Sequence, residues 1–210
     1  KRLDVSNTDI ALYTSWLYLP WVIKPLWSPL VDLLKTKRWW IVTMQLMTGA
    51  GLAGVAFTIP TDSFFQFTLA FFWLLAFSSA THDIAADGFY MLGLKAHEQA
   101  LFVGIRSTFY RIAMIFGQGI LIILAGYLET TSGIKGAWRL TFLAISAAFV
   151  LFSLFHRYIL PRPAEDKPGN TSTISELARQ TGLTFISFFQ KKNMRRRSPS
   201  GNSTLSLVQR

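Results

Sequence analysis

The sequence predicts an all-α fold, a polytopic bundle of membrane helices. Of its 210 residues, 51% are hydrophobic and only 15% are charged, where a soluble domain of this size would carry roughly 25% charged residues. The mean hydropathy is +0.34. The apolar residues also fall into runs about as long as one bilayer crossing, roughly 20 residues each, separated by short charged or turn-forming loops.

About five spans follow, at residues 10–34, 40–59, 64–89, 100–128 and 137–159, making residues 1–160 one bundle. The first run is aromatic and holds Pro20, Pro25 and Pro29. A membrane helix tolerates such prolines because neighbouring groups satisfy the freed carbonyls, so a kinked span is expected. The second is uncharged, with Trp39 and Trp40 where an interfacial aromatic belt belongs. Pro60, Thr61 and Asp62 make a very short turn, so the third run returns as an antiparallel neighbour. The loop MLGLKAHEQ leads to the fourth, whose core is IAMIFGQGILIILAGYL, and ETTSGIKG separates it from the fifth.

Loop charge sets the orientation. Lys35, Lys37 and Arg38, then Lys95 with nearby Arg106, then Arg157 and Arg162 fall on one face, which the positive-inside rule makes cytoplasmic. Asp62, Glu129, Lys135 and Arg139 fall on the other, together with Lys1, Arg2, Asp4 and Asp9. The net charge of +10 does not indicate a nucleic-acid partner, because Lys191, Lys192, Arg195, Arg196, Arg197 and Arg210 supply six of those charges within a polar tail. Residues 161–190 read as a cytoplasmic linker and then either an amphipathic surface helix or the approach to a further span. Residues 191–210 read as a disordered basic tail, open to a truncated or frame-shifted origin. The absence of an initial methionine and of a cleavable leader pattern reads as a start internal to a longer product.

Ionisable residues inside spans carry the chemistry, because each is costly in hydrocarbon unless it faces a cavity or a partner. Lys24 lies midway along the first run, placed to bind an anionic group or to pair with a buried carboxylate. In THDIAADGFY, Asp83 and Asp87 share a helix face with Tyr90, while Ala80, Ala85, Ala86 and Gly88 admit a close neighbour. Depth matching across the next hairpin pairs Asp87 with Arg106 and Asp83 with Arg111, since both pairs share a midpoint at Ala96 and His97. The outer pair is expected to lock the hairpin and the deeper one to relay a proton. His82 lies on a neighbouring face.

There is no cysteine, no nucleophile motif, no phosphate loop and no zinc spacing, so no catalytic residue, metal ligand or cofactor is expected and the chain is not read as an enzyme. Two alternatives use the same residues. Asp83-x-x-x-Asp87 has the spacing by which membrane prenyltransferases hold magnesium and a lipid diphosphate, although a second aspartate-rich motif is missing. A non-transporting membrane scaffold would use the charge pairs only structurally.

KPLWSPLVDLLKTKRW resembles the second span and following cytoplasmic loop of the major facilitator superfamily, with Ser28, Asp32, Lys35, Lys37 and Arg38 in the roles of its gating motif. More narrowly, KPLWSPLVD, THDIAADGFY, YRIAMIFGQG and GAWRLTFL resemble the AmpG-type muropeptide permeases, relatives of acetyl-coenzyme A transporters. The resemblance implies a proton-coupled importer of cell-wall muropeptides in the bacterial inner membrane, linked to peptidoglycan recycling and β-lactamase induction. It carries over Lys24, Trp27, Pro29, Asp32, Asp83, Asp87, Tyr110, Arg111, Trp138 and Arg139; Lys24, Asp83, Arg111 and Tyr110 of these, together with His82, are the expected substrate or proton pathway. His82 stands where better-known members carry glutamine, and Gly88 where they carry alanine. Such transporters are built from two halves of about six spans each. The chain then corresponds to spans two to six, a partial N-terminal half. Its implied partners are the lipid bilayer, a muropeptide-like small molecule, protons and the missing C-terminal half.

Overall fold

A computed structural model of the chain describes residues 6–169 and, beyond them, Glu176, Arg179, Gly182, Leu183, Ile186 and Ser187. The chain divides into two units, Lys1–Asn170 and Thr171–Arg210. In the second unit the described residues are helical. The rest of the expected amphipathic helix, and the basic tail at 191–210, lie outside the described residues.

The first unit is helical, with no strand among the described residues. The first apolar run is three helices rather than one kinked span: α1 (Asn7–Trp16), α2 (Leu19–Val22) and α3 (Lys24–Leu34). Two of its prolines explain the division, since Pro20 and Pro25 open α2 and α3, where a missing N–H costs no helical bond. Ser6 caps α1, its hydroxyl accepting from the Asp9 amide at 3.1 Å.

α4 (Lys37–Thr58) is the centre of the unit and packs along both α5 (Phe64–Gly93) and the last long helix, α7 (Leu121–Ile159). Its small residues make this possible. A Cβ on Gly49 would lie 3.0 Å from Val150 and 3.2 Å from the Ser146 carbonyl, so even a methyl there would require α7 to give way by a few tenths of an ångström. The Ser146 hydroxyl donates to the Gly49 carbonyl at 2.7 Å, and Ser153 donates to Val42 at 2.9 Å, two rungs of one antiparallel seam. Gln45 and His156 meet at 2.9 Å. Both side chains tilt toward their own helix N-terminus, which brings them to the level of the Val42 and Ser153 rung.

α6 (Ala96–Ile115) continues through a π-helical turn (Phe116–Ile120) into α7. The expected loop ETTSGIKG is therefore helical except at Gly133, whose φ of 65° and ψ of 172° place it in a backbone region open to glycine. The chain must reverse there. The start of α6 and the end of α7 lie at the same end of the unit, since Arg106 reaches Asp87 on the last turns of α5 and the Arg38 guanidinium reaches the Arg157 carbonyl. Lys37–Thr58, Phe64–Gly93 and the 64-residue stretch Ala96–Ile159 are each long and apolar enough to cross a membrane. The last, broken at Gly133, is long enough for two crossings.

Candidate functional site

The basic end is organised around the turn between α3 and α4. Val31, Ile41 and Ala85 are buried there, with Trp27, Trp40 and Phe89 packed against them, and the Trp40 indole donates to the Val31 carbonyl at 2.9 Å. Asp32 pairs with Lys37 across the turn. The Lys37 stem crosses the α5 backbone at Gly88, where an added Cβ would lie 2.7 Å from its Cε. The glycine that departs from the family pattern is thus the space this lysine uses. Arg38 donates to the carbonyls of Arg157 and Leu160, tying α4 to the end of α7.

Asp166 completes this end. Its carboxylate accepts from the Lys37 amide at 2.6 Å and the Arg38 amide at 3.0 Å, two of the unpaired donors at the start of α4. Gly169 donates to the Asp32 carbonyl at 3.2 Å, so residues 161–169 lie along the α3–α4 turn. Sequence reading took this stretch for linker, and a lone aspartate among prolines and charges gives no local signal of its partner.

One turn deeper lies a four-charge cluster. Asp83 on α5 accepts from Lys24 at the start of α3 and from Arg106 on α6, and the same Arg106 donates also to Asp87. Lys24 is 21% exposed and Asp83 30%, against 42% for Arg106, so the lysine end is the more enclosed. The pairing of Asp87 with Arg106 is the one that depth matching gives. That of Asp83 with Arg111 is corrected: Asp83 is taken by Lys24 and Arg106, and Arg111 is exposed farther along α6. Depth matching presumes two helices packed along their length. α6 instead leaves α5 after Arg106, and residues 103–118 are exposed on every face. A guanidinium with two donor edges spans carboxylates four residues apart on one face, which a lysine could not do.

Tyr110, one turn beyond Arg106, lines a cavity of about 710 Å³ with Thr14, Tyr18, Trp21, Phe72 and Ser79. His82 lies beside the cluster in sequence, but its Nε2 is buried without a hydrogen-bond partner, as is Trp27 Nε1. Both aspartates face cations. This neutralises negative charge rather than concentrating it, the opposite of what a magnesium–diphosphate site requires.

A membrane bundle with a balanced charge cluster beside a cavity is the architecture of a solute-carrying membrane protein. The profile of the Major Facilitator Superfamily matches residues 1–203, and the chain belongs to that family. It is similar to the putative transporter AmpG 4 of Rickettsia conorii, 30% identical over 73% of this chain and 38% of the relative. The putative transporter AmpG 4 of Rickettsia felis is also 30% identical, again over 73% and 38%. The anhydromuropeptide permease of Escherichia coli K12 is 25% identical over 79% of this chain and 33% of its own length. The chain thus spans about a third of the length of these curated relatives. No solved structure matches it significantly.

Proposed function

We propose that these residues belong to a transporter that imports cell-wall muropeptides with protons across the bacterial inner membrane. Such import feeds peptidoglycan recycling and, through it, β-lactamase induction. The observation that carries this reading is the cluster of Lys24, Asp83, Arg106 and Asp87, two cations against two carboxylates. An acidic solute entering this neutral group leaves it one charge negative, and a proton taken up on Asp83 restores the balance while freeing Lys24 and Arg106 for the solute. Uptake of acid and proton together follows from electrostatics in a low-dielectric site. The names of the relatives supply the solute class, and the half of the transporter that the relatives have beyond this match supplies the opposite wall. Lys37, Arg38 and Asp32 act as the gate at the cytoplasmic end.

The test is uptake of a labelled anhydromuropeptide into proteoliposomes under an imposed pH gradient. Uptake is expected to follow the inward proton gradient, and Asp83→Asn is expected to abolish gradient-driven accumulation while leaving exchange of internal for external solute. Accumulation by Asp83→Asn at the unaltered rate would remove the proton role.

A further inference from the structure

α4 packs between α5 and α7, and polar groups on all three helices stand at one level. Gly54 lies against Phe71, Gly51 against Leu75, and Ile41 clusters with Ala85, so α4 and α5 run antiparallel in a fixed register. Leu75 and His82 are two turns apart on α5 and share the stripe that faces α4. By that register His82 comes level with Met44 and Gln45. Gln45 is buried, and its Oε1 lies 2.9 Å from Nδ1 of His156 on α7. An amide oxygen only accepts, so Nδ1 carries the hydrogen and Nε2 is the basic nitrogen of that ring. His82 and His156 are close enough for their charges to act on each other. His82 itself makes no bond that would explain its place: its Nε2 is buried with no hydrogen-bond partner among the described residues. A polar atom left so in a membrane helix is costly, and such a cost marks function. The charged groups around it are Asp83 on its own helix, Lys24 and Arg106, which hold that aspartate, and His156. From α4 only neutral groups face it, because residues 39–58 contain no charge.

We propose that His82, coupled to His156 across Gln45, is a second proton site, which takes the proton from Asp83 as that carboxylate returns to Lys24 and Arg106. This rests on the transport reading above and names the group that receives its proton. His82 adjoins Asp83 on α5, so a proton leaving the carboxyl has an imidazole on the next side chain. The O–H bond on Asp83 breaks, an N–H bond forms on His82, and the carboxylate regains its two cations. Imidazolium on both histidines would set two like charges in a low-dielectric interior, so the pair holds one proton at a time. The Arg38 guanidinium, held at the Arg157 carbonyl one residue from His156, disfavours a lasting cation there and favours release at the basic end. Better-known members carry glutamine in place of His82, and an amide holds no proton at these pH values, so the site belongs to this chain and not to the family pattern.

The experiment is a pH titration of the purified protein in lipid nanodiscs, from about pH 4 to about pH 9, followed by NMR of isotope-labelled histidine rings. The chain has three histidines, and the exposed His97 serves as internal reference. His82 and His156 are expected to follow one shared two-step curve, and either His156→Gln or His82→Gln to leave the other ring titrating in a single step. Independent single steps in the unaltered protein, or a His82 ring that does not titrate, overturn the paired site. In the proteoliposome assay, His82→Gln is expected to slow gradient-driven accumulation about tenfold and to leave exchange of internal for external solute unchanged, since exchange does not require the proton to leave. Accumulation by His82→Gln at the unaltered rate overturns the receiving role. A two-step curve in a protein that accumulates nothing leaves the paired site standing and removes the transport reading. Gradient-driven accumulation with independent histidines does the reverse.

Discussion

α4 and α6 are apolar helices of similar length, 22 and 20 residues, and the structure treats them in opposite ways. α4 buries Ile41, Gln45, Gly49, Gly51, Leu52, Val55 and Ala56, while α6 buries nothing. Hydrophobicity alone does not make the difference, because α6 exposes Val103, Ile105, Phe109, Ile112, Met114 and Ile115. It lies in side-chain size. In a bilayer, lipid tails satisfy large apolar groups as well as a neighbouring helix does, so helices associate where small residues let backbones meet and where polar groups bond across. α4 has its glycines and its seam of serine hydroxyls. α6 has Arg106.

The sharpest way to break that contrast is to remove the close approach on α4. Gly49→Leu places a branched side chain where a single Cβ already meets Val150 and the Ser146 carbonyl, and backbone cannot yield as a side-chain tip can. A loss of about 3 kcal/mol is expected, read as a sharp drop in the melting temperature of the detergent-solubilised protein. A melt unchanged by the substitution would show that the α4–α7 seam is looser than described.

The tether of α6 comes next. Arg106→Ala removes both bonds to Asp83 and Asp87, and amide hydrogen exchange across residues 96–115 is expected to speed at least tenfold, about 1.4 kcal/mol, with α4 unaffected. Arg106→Lys is expected to fall between, since one ammonium cannot bridge two carboxylates. Exchange that stays slow in Arg106→Ala would mean that packing, not the ion cluster, holds α6.

The smallest effect is expected at the end of α4. Asp166→Asn keeps the shape but removes the charge at the helix N-terminus, at a cost of about 0.5–1 kcal/mol that shrinks in high salt. The melting temperature at low and high ionic strength measures it. An equal loss at both would assign Asp166 a hydrogen-bonding role without an electrostatic one.

Much of the fold was legible because apolar run length is a local property. The runs at residues 40–59 and 64–89 lie within or alongside α4 and α5, whereas the first run, read as one kinked span, is three helices, two of them opened by Pro20 and Pro25. ETTSGIKG misled because serine, threonine and glycine usually signal loop, whereas one glycine with positive φ can turn a helix back by itself. At the site, Asp87 with Arg106 was readable from equal rise along a hairpin. Asp83 with Lys24 was not, because their 59-residue separation leaves no register to count, and Lys24 could be named only as a charge in need of a partner.

By itself, the sequence determined that this protein is a bundle of membrane helices, and it placed Lys24, Asp83 and Asp87 inside apolar runs. Those follow from composition and spacing, since a bilayer fixes how long an apolar run must be and how much a buried charge costs. Only the tertiary structure decided that Asp83 meets Lys24, that one arginine serves two aspartates, and that Asp166 returns to cap a helix 129 residues earlier. Contacts of that kind depend on how helices cross and diverge, and the crossing is set by a few small residues acting together rather than by any local pattern.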